Sequence, residues 1–112
     1  MSNWIDICSV DDLVANSGVG ALVEEVQVAL FYMPDDNAVY AIANYDPFSH
    51  INILSRGLIG DIQGEPMVSS PIYKQHFSLK TGLCFEDENV SVKTYGVRMT
   101  GNRVEVNLEE AA

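Results

Sequence analysis

Short apolar runs closed by turn-forming residues succeed one another along the chain, the pattern of strand after strand. WIDI at 4–7 alternates apolar and polar positions, as a half-buried strand does. In SVDD at 9–12, Ser9 is placed to cap a helix with an acid three positions later, so one helical turn is expected through Asp11, Asp12 and Leu13, ended by SGVG at 17–20. GALVEE (20–25) and VQVALFYM (26–33) read as strands. Pro34, Asp35, Asp36 and Asn37 then supply a turn into AVYAIAN (38–44), giving a hairpin or meander. PMVSS (66–70), HFSL (76–79), VKTYGVRM (92–99) and RVEV (103–106) add further strands, with Lys80-Thr81-Gly82 closing HFSL and Thr100-Gly101-Asn102 turning between the last two. Only INILSRGLIGD at 51–61 looks irregular or briefly helical. The expected fold is all-β, a mostly antiparallel β-sandwich or small barrel with long loops.

Composition narrows this picture. A chain of 112 residues, 47% hydrophobic and 20% charged, is expected to form one domain over residues 1–112 with a core that needs no covalent staples. Cys8 and Cys84 lack the spacing of a disulfide scaffold or a thiolate metal site and are expected to be buried thiols. The longest apolar runs fall short of the roughly 18 to 20 residues that span a bilayer, and MSNWIDIC carries no basic, apolar leader, so the chain is expected in the cytoplasm. A formal net charge of −10 repels phosphate backbones and anionic lipid, which argues against nucleic-acid or membrane binding and favours solubility or a basic protein partner. The acidic groups Glu24-Glu25, Asp35-Asp36, Glu86-Asp87-Glu88 and Glu109-Glu110 read as solvated turn and tail charges.

Two stretches, NYDPFSH (44–50) and SSPIYKQHF (69–77), gather proline, aromatic, hydroxyl and imidazole groups where strands end. A nucleophilic triad would draw on Ser70, His76 and Asp46, but no nucleophile-elbow motif frames them. A metal site would draw on Asp46, His50, Tyr73 and His76, and with two histidines in the whole chain a structural role is favoured. No glycine-rich strand-to-helix turn for a dinucleotide is present.

The frame around these stretches is more informative than the individual groups. SPIYKQHFSLKTG (70–82) places Pro71 directly after Ser70, Phe77 seven positions on, and Leu79, Thr81 and Gly82 at the close. It resembles the second cluster-binding loop of Rieske-type ferredoxin domains, Cys-Pro-x-His-x-x-x-Phe-x-Leu-x-Thr-Gly, and AIANYDPF (41–48) resembles the first, Cys-Pro-His or Cys-x-His after a strand ending in Asn. Rieske chemistry needs two thiolates on one iron and two imidazoles on the other. The resemblance puts Asp46 and Ser70 at the thiolate positions and Phe48 and Tyr73 at the imidazole positions, with His50 and His76 displaced from them by two and three residues. It therefore implies a Rieske-like fold that holds no [2Fe-2S] cluster, with two hairpin loops in place of the cluster-binding loops.

LSRGLIGD, the KQHF exit, GLCFEDE and SVKTYGVRM together narrow the resemblance to the small-subunit family of assimilatory NAD(P)H-dependent nitrite reductases, over essentially the whole chain. By analogy, the resemblance implies that the partner is the nitrite reductase large subunit, which carries FAD, NAD(P)H, sirohaem and a [4Fe-4S] cluster and reduces nitrite to ammonium in nitrate assimilation. A small subunit without ligands binds no cofactor and has no catalytic centre of its own. It is expected to dock on or stabilise the large subunit through the former cluster loops, with Phe48, Arg56, Tyr73, Lys74 and His76 as candidate contacts. The competing readings are a Rieske-type electron-transfer ferredoxin with unorthodox iron ligands and a stand-alone β interaction module.

Overall fold

The computed structural model describes residues 3–109; Glu110, half of the acidic pair read at the tail, lies outside them. The strands are β1 (Ile5–Ser9), β2 (Ser17–Val23), β3 (Val26–Met33), β4 (Ala38–Ala43), β5 (Tyr45–Asp46), β6 (Ile51–Asn52), β7 (Leu58–Ile62), β8 (Glu65–Ser69), β9 (His76–Ser78), β10 (Thr94–Thr100) and β11 (Arg103–Asn107). β1-β11-β10-β4-β3-β2 form a six-stranded antiparallel sheet. Its outer strands β1 and β2 come into contact, so the sheet curls towards a barrel. β7-β8-β9 form a second sheet, and β5 pairs with β6 in a short ribbon.

The apolar run of β3 after Gln27, residues 28–33, results from its position between two cores. Val28 and Leu30, with Val39 and Ala41 of β4, face a barrel interior completed by Tyr95, Val104 and Val106. Ala29, Phe31 and Ile42 point the other way, onto Leu54, Val68, Phe77, Leu79 and Cys84. A strand alternates its side chains between two faces, and both faces are buried here, so polar positions disappear. β3 and β4 are thus the wall on which the small sheet and its loops are mounted.

Local signals account for most of the connections. Ser9 caps the 3₁₀ turn Val10–Asp12 through a full capping box with Asp12, and Pro34–Asp36 forms a second 3₁₀ turn that ends in left-handed Asn37. After β9, the Ser78 hydroxyl accepts the N–H groups of Lys80 and Thr81, both at 3.1 Å, and closes the turn. Three expectations are corrected. SGVG does not end a helix; it opens β2, because Asn16 at φ 56° makes the turn and Gly18 lets the carbonyl of Ser55 approach the strand closely. INILSRGLIGD is only partly irregular: the 3₁₀ turn Leu54–Arg56 separates β6 from β7, a true strand paired with β8. Its core-facing apolar period is obscured by Gly60 and Asp61. Cys8 is half-buried rather than buried, since a register irregularity between Asp6 and Cys8 bends edge strand β1, whereas Cys84 is buried. Burial raises the pKa of both thiols.

One turn is built against residue preference. β2 and β3 are joined by Glu24 and Glu25 alone, at φ 47° and 71°. Two positive φ values suit the twist of a tight hairpin but favour Asn-Gly, and two adjacent carboxylates add repulsion. The double substitution E24N/E25G is expected to raise stability by about 1 kcal/mol, measured as an upward shift of the thermal midpoint; no shift or a fall would contradict it.

Candidate functional site

Asn44, at the end of β4, anchors the first loop. Its carbonyl accepts the N–H groups of Ile53 (2.9 Å) and Leu54 (3.0 Å), and its side-chain oxygen accepts that of Ser55 (2.7 Å). One buried residue thereby ties the entry of the β5–β6 excursion to its exit, its main-chain and side-chain oxygens both accepting from the 53–55 segment.

The two loops repeat one local design. In Asp46–His50, the Asp46 carboxylate accepts the N–H of Phe48 (2.9 Å), the Asp46 carbonyl accepts the N–H of His50 (2.8 Å), and His50 is left-handed at φ 62°. In Ser70–Lys74, the Ser70 hydroxyl accepts the N–H of Ile72 (3.3 Å), the Ser70 carbonyl accepts the N–H of Lys74 (3.1 Å), and Lys74 is left-handed at φ 64°. Each begins with a capping side chain succeeded by proline, whose fixed φ favours the turn.

The caps of the two loops meet. The Ser70 hydroxyl donates to Asp46 Oδ2 at 2.5 Å, and both residues are buried, at 1% and 0% exposure. Burial pushes the Asp46 pKa up, but hydrogen bonds from the Ser70 hydroxyl and the Phe48 N–H outweigh it and hold the carboxyl below its ordinary range. An ionised carboxylate thus clasps the loops together.

The remaining candidates are placed separately. Phe48 is half-buried and its ring lies 6.2 Å from that of Phe77, filling space under the first loop. His50 Nδ1 pairs with the Tyr45 hydroxyl at 2.8 Å. His76 pairs through Nδ1 with Glu86 (2.5 Å), which also accepts the His76 N–H (2.7 Å). Burial opposes ionisation of Glu86, but these His76 contacts prevail and its pKa is lowered. Arg56, Lys74 and Tyr73 are exposed, Tyr73 at 61%. Ser70 and Asp46 are therefore brought together without His76, and His50, His76 and Tyr73 do not converge on Asp46. Sequence reasoning missed the Asn44 anchor, the Tyr45–His50 pair and Glu86 as the partner of His76. The acidic run 86–88 was the only signal for the last of these.

Residues 3–107 match the Rieske-like [2Fe-2S] domain family. The chain is 48% identical over 106 residues to the nitrite reductase (NADH) small subunit of Escherichia coli K12, an alignment covering 95% of this chain and 98% of that protein. The chain belongs to the nitrite reductase (NADH) small-subunit family. The solution structure of the E. coli protein NirD superimposes with a TM-score of 0.89 at 46% identity, covering 98% of this chain and all of that one. The nitrite reductase [NAD(P)H] large subunit of Klebsiella oxytoca contains a stretch 39% identical over 107 residues, which covers 96% of this chain and 11% of that protein. Membership raises the question of a [2Fe-2S] cluster, and the donor set does not fit one. The side chains at the two loop-initiating positions are oxygen groups, not thiolates, bonded to each other and to loop N–H groups, and among the described residues no three His, Cys, Asp or Glu side chains gather as metal ligands.

Proposed function

We propose that the chain is a non-catalytic accessory subunit of an NAD(P)H-dependent nitrite reductase, seated on the large subunit in the cytoplasm and serving nitrate assimilation. The observation that carries the non-catalytic part is the buried Asp46–Ser70 hydrogen bond: the two positions that resemblance assigns to thiolates close on each other instead of on iron. Flavin, nicotinamide nucleotide, sirohaem and [4Fe-4S] chemistry then reside on the large subunit, and this chain supplies a rigid, electron-inert β scaffold. The Klebsiella large subunit, which contains a homologous stretch within one polypeptide, supports association, since a domain built in cis and a subunit bound in trans need the same neighbour.

The test is co-expression with the large subunit of the same genome. The chain is expected to co-purify with it, to catalyse no NADH-dependent nitrite reduction alone, and to emerge colourless and EPR-silent from iron–sulfur reconstitution. A stable Rieske-type EPR signal after reconstitution would replace this reading with that of an electron carrier, and absence of any complex would sink the accessory role.

A further inference from the structure

Residues 45–85, which form the short ribbon, the small sheet and both loops, differ in surface character from the barrel beneath them. They contain three basic residues, Arg56, Lys74 and Lys80, against three acidic ones, Asp46, Asp61 and Glu65, so the formal −10 of the chain is carried outside them; three of those outside acids, Glu86, Asp87 and Glu88, border the segment directly after Phe85, where Glu86 bonds His76. Among the described residues, seven of the nine exposed large hydrophobic side chains also fall within this segment, leaving only Val14 and Leu22 on the acidic part. Such residues scattered singly carry no message, but a cluster on a neutral surface does.

Backbone pairing and loop hydrogen bonds place several of them near one another. Ile51 stands opposite Asp46 in the ribbon, Asp46 bonds Ser70, and Ser70 accepts the N–H of Ile72, so Ile51 and Ile72 flank the clasp, with Tyr73 beside them. Leu58 and His76 are both cross-strand partners of Ser69, and the Phe85 N–H donates to the His76 carbonyl at 2.8 Å. Gly57 packs on the Ser69 carbonyl, which brings Arg56 to the same border, while Lys74 ends the second loop.

We propose that the apolar loop tips Ile51, Ile72 and Tyr73, with Leu58 at their flank, seat on the large subunit, against an apolar patch that carries carboxylates opposite Lys74 and Arg56, with Phe85 and the acid run 86–88 left at the border. The inference rests on the accessory-subunit reading and adds which surface is used and what chemistry meets it. Charge segregation sets the orientation: the acids of the barrel and of the run 86–88 are repelled by a carboxylate-bearing surface, so the loop tips with Lys74 and Arg56 approach it. Phe48 takes no part, because its ring is committed to Phe77.

The test titrates the purified large subunit with the intact chain and its variants. I72E/Y73E is expected to weaken binding more than 10-fold. K74E is expected to weaken it several-fold at low salt, with the difference shrinking at high salt. L22E, at a position 68% exposed on β2, should stay within twofold. Thermal melts within a few degrees of wild type establish that each variant is folded. A folded I72E/Y73E that binds as wild type, or a larger loss from L22E, overturns the assignment of the face while leaving the accessory role intact. A wild-type chain that does not bind at all overturns that role and the assignment with it.

Discussion

Alanine at Asp46 is expected to cost about 3–5 kcal/mol of folding stability at neutral pH, read from chemical denaturation. The side chain is wholly buried and accepts the Ser70 hydroxyl and the Phe48 N–H, so its removal leaves one buried and one part-buried donor without this partner, at about 1–3 kcal/mol each, together with a cavity. Ser70→Ala should cost less, about 1.5–3 kcal/mol, because it removes one donor from a carboxylate that keeps the Phe48 N–H. The double variant should fall short of the sum of the two, since the interaction is counted in both single changes. The pH dependence has a definite sign. The Asp46 pKa is lowered below 3.8 in the folded chain, so its contribution is complete above the unfolded value and is lost as pH falls through the folded one. Stability should hold on the neutral side and decline below about pH 4. Glu86 and Glu105, also lowered, contribute to the same acid limb. D46N, which retains shape and one acceptor oxygen, should destabilise less than D46A at neutral pH and make the acid limb shallower. A D46A chain as stable as wild type would show that the loops are held by packing alone.

How much of the fold and site is legible in the sequence depends on the range of each interaction. Strands with a local signature, such as the apolar run of β3 or the hairpin turning at Gly101, are legible because their periodicity and turn residues lie within a few positions of one another. β7 and the first half of β2 are not. Ser17–Val23 opens with Gly18 and Gly20, so only its GALV end reads as a strand, and Leu58–Ile62 contains Gly60 and Asp61; these parts are strands because of what packs over them rather than what they are made of. The site divides in the same way. Asp46 and Ser70 can be singled out because each begins a loop with a proline behind it, but their bond spans 24 residues and has no trace in either loop read alone. Glu86 lies ten residues beyond His76. Composition makes it a solvated acid, and only the bridge between Phe77 and Cys84 brings it back to the histidine.

A second large effect is expected at two glycines where a neighbouring main chain approaches too closely for any side chain. An added Cβ at Gly57 would lie 2.3 Å from the Ser69 carbonyl oxygen and 2.6 Å from Val68 Cγ2, and one at Gly18 would lie 2.3 Å from the Ser55 carbonyl oxygen and 2.6 Å from Phe31 Cε1. Neither glycine sits at positive φ, so it is the close approach that demands glycine rather than a special conformation. In both cases the obstacle is backbone, which yields only if β8 or the Leu54–Arg56 turn moves. Gly18→Ala and Gly57→Ala should therefore each cost about 3 kcal/mol in chemical denaturation, at the upper end of overpacking effects. Gly20→Ala provides the contrast: its nearest neighbour is the Ser55 hydroxyl at 3.3 Å, a side-chain atom that can rotate away, and its cost should stay below about 1 kcal/mol. The two severe variants should also differ from each other. Gly57 bears directly on Ser69, immediately before the second loop, so Gly57→Ala should displace Ile72 and Tyr73 and weaken association with the large subunit under conditions where the chain is still folded. Gly18 bears on the 3₁₀ turn after the first loop and should act mainly through stability. A small cost for Gly18→Ala would mean that the Leu54–Arg56 turn rests loosely on the barrel, and a small cost for Gly57→Ala that β8 yields easily and the docking face is not held in a fixed position.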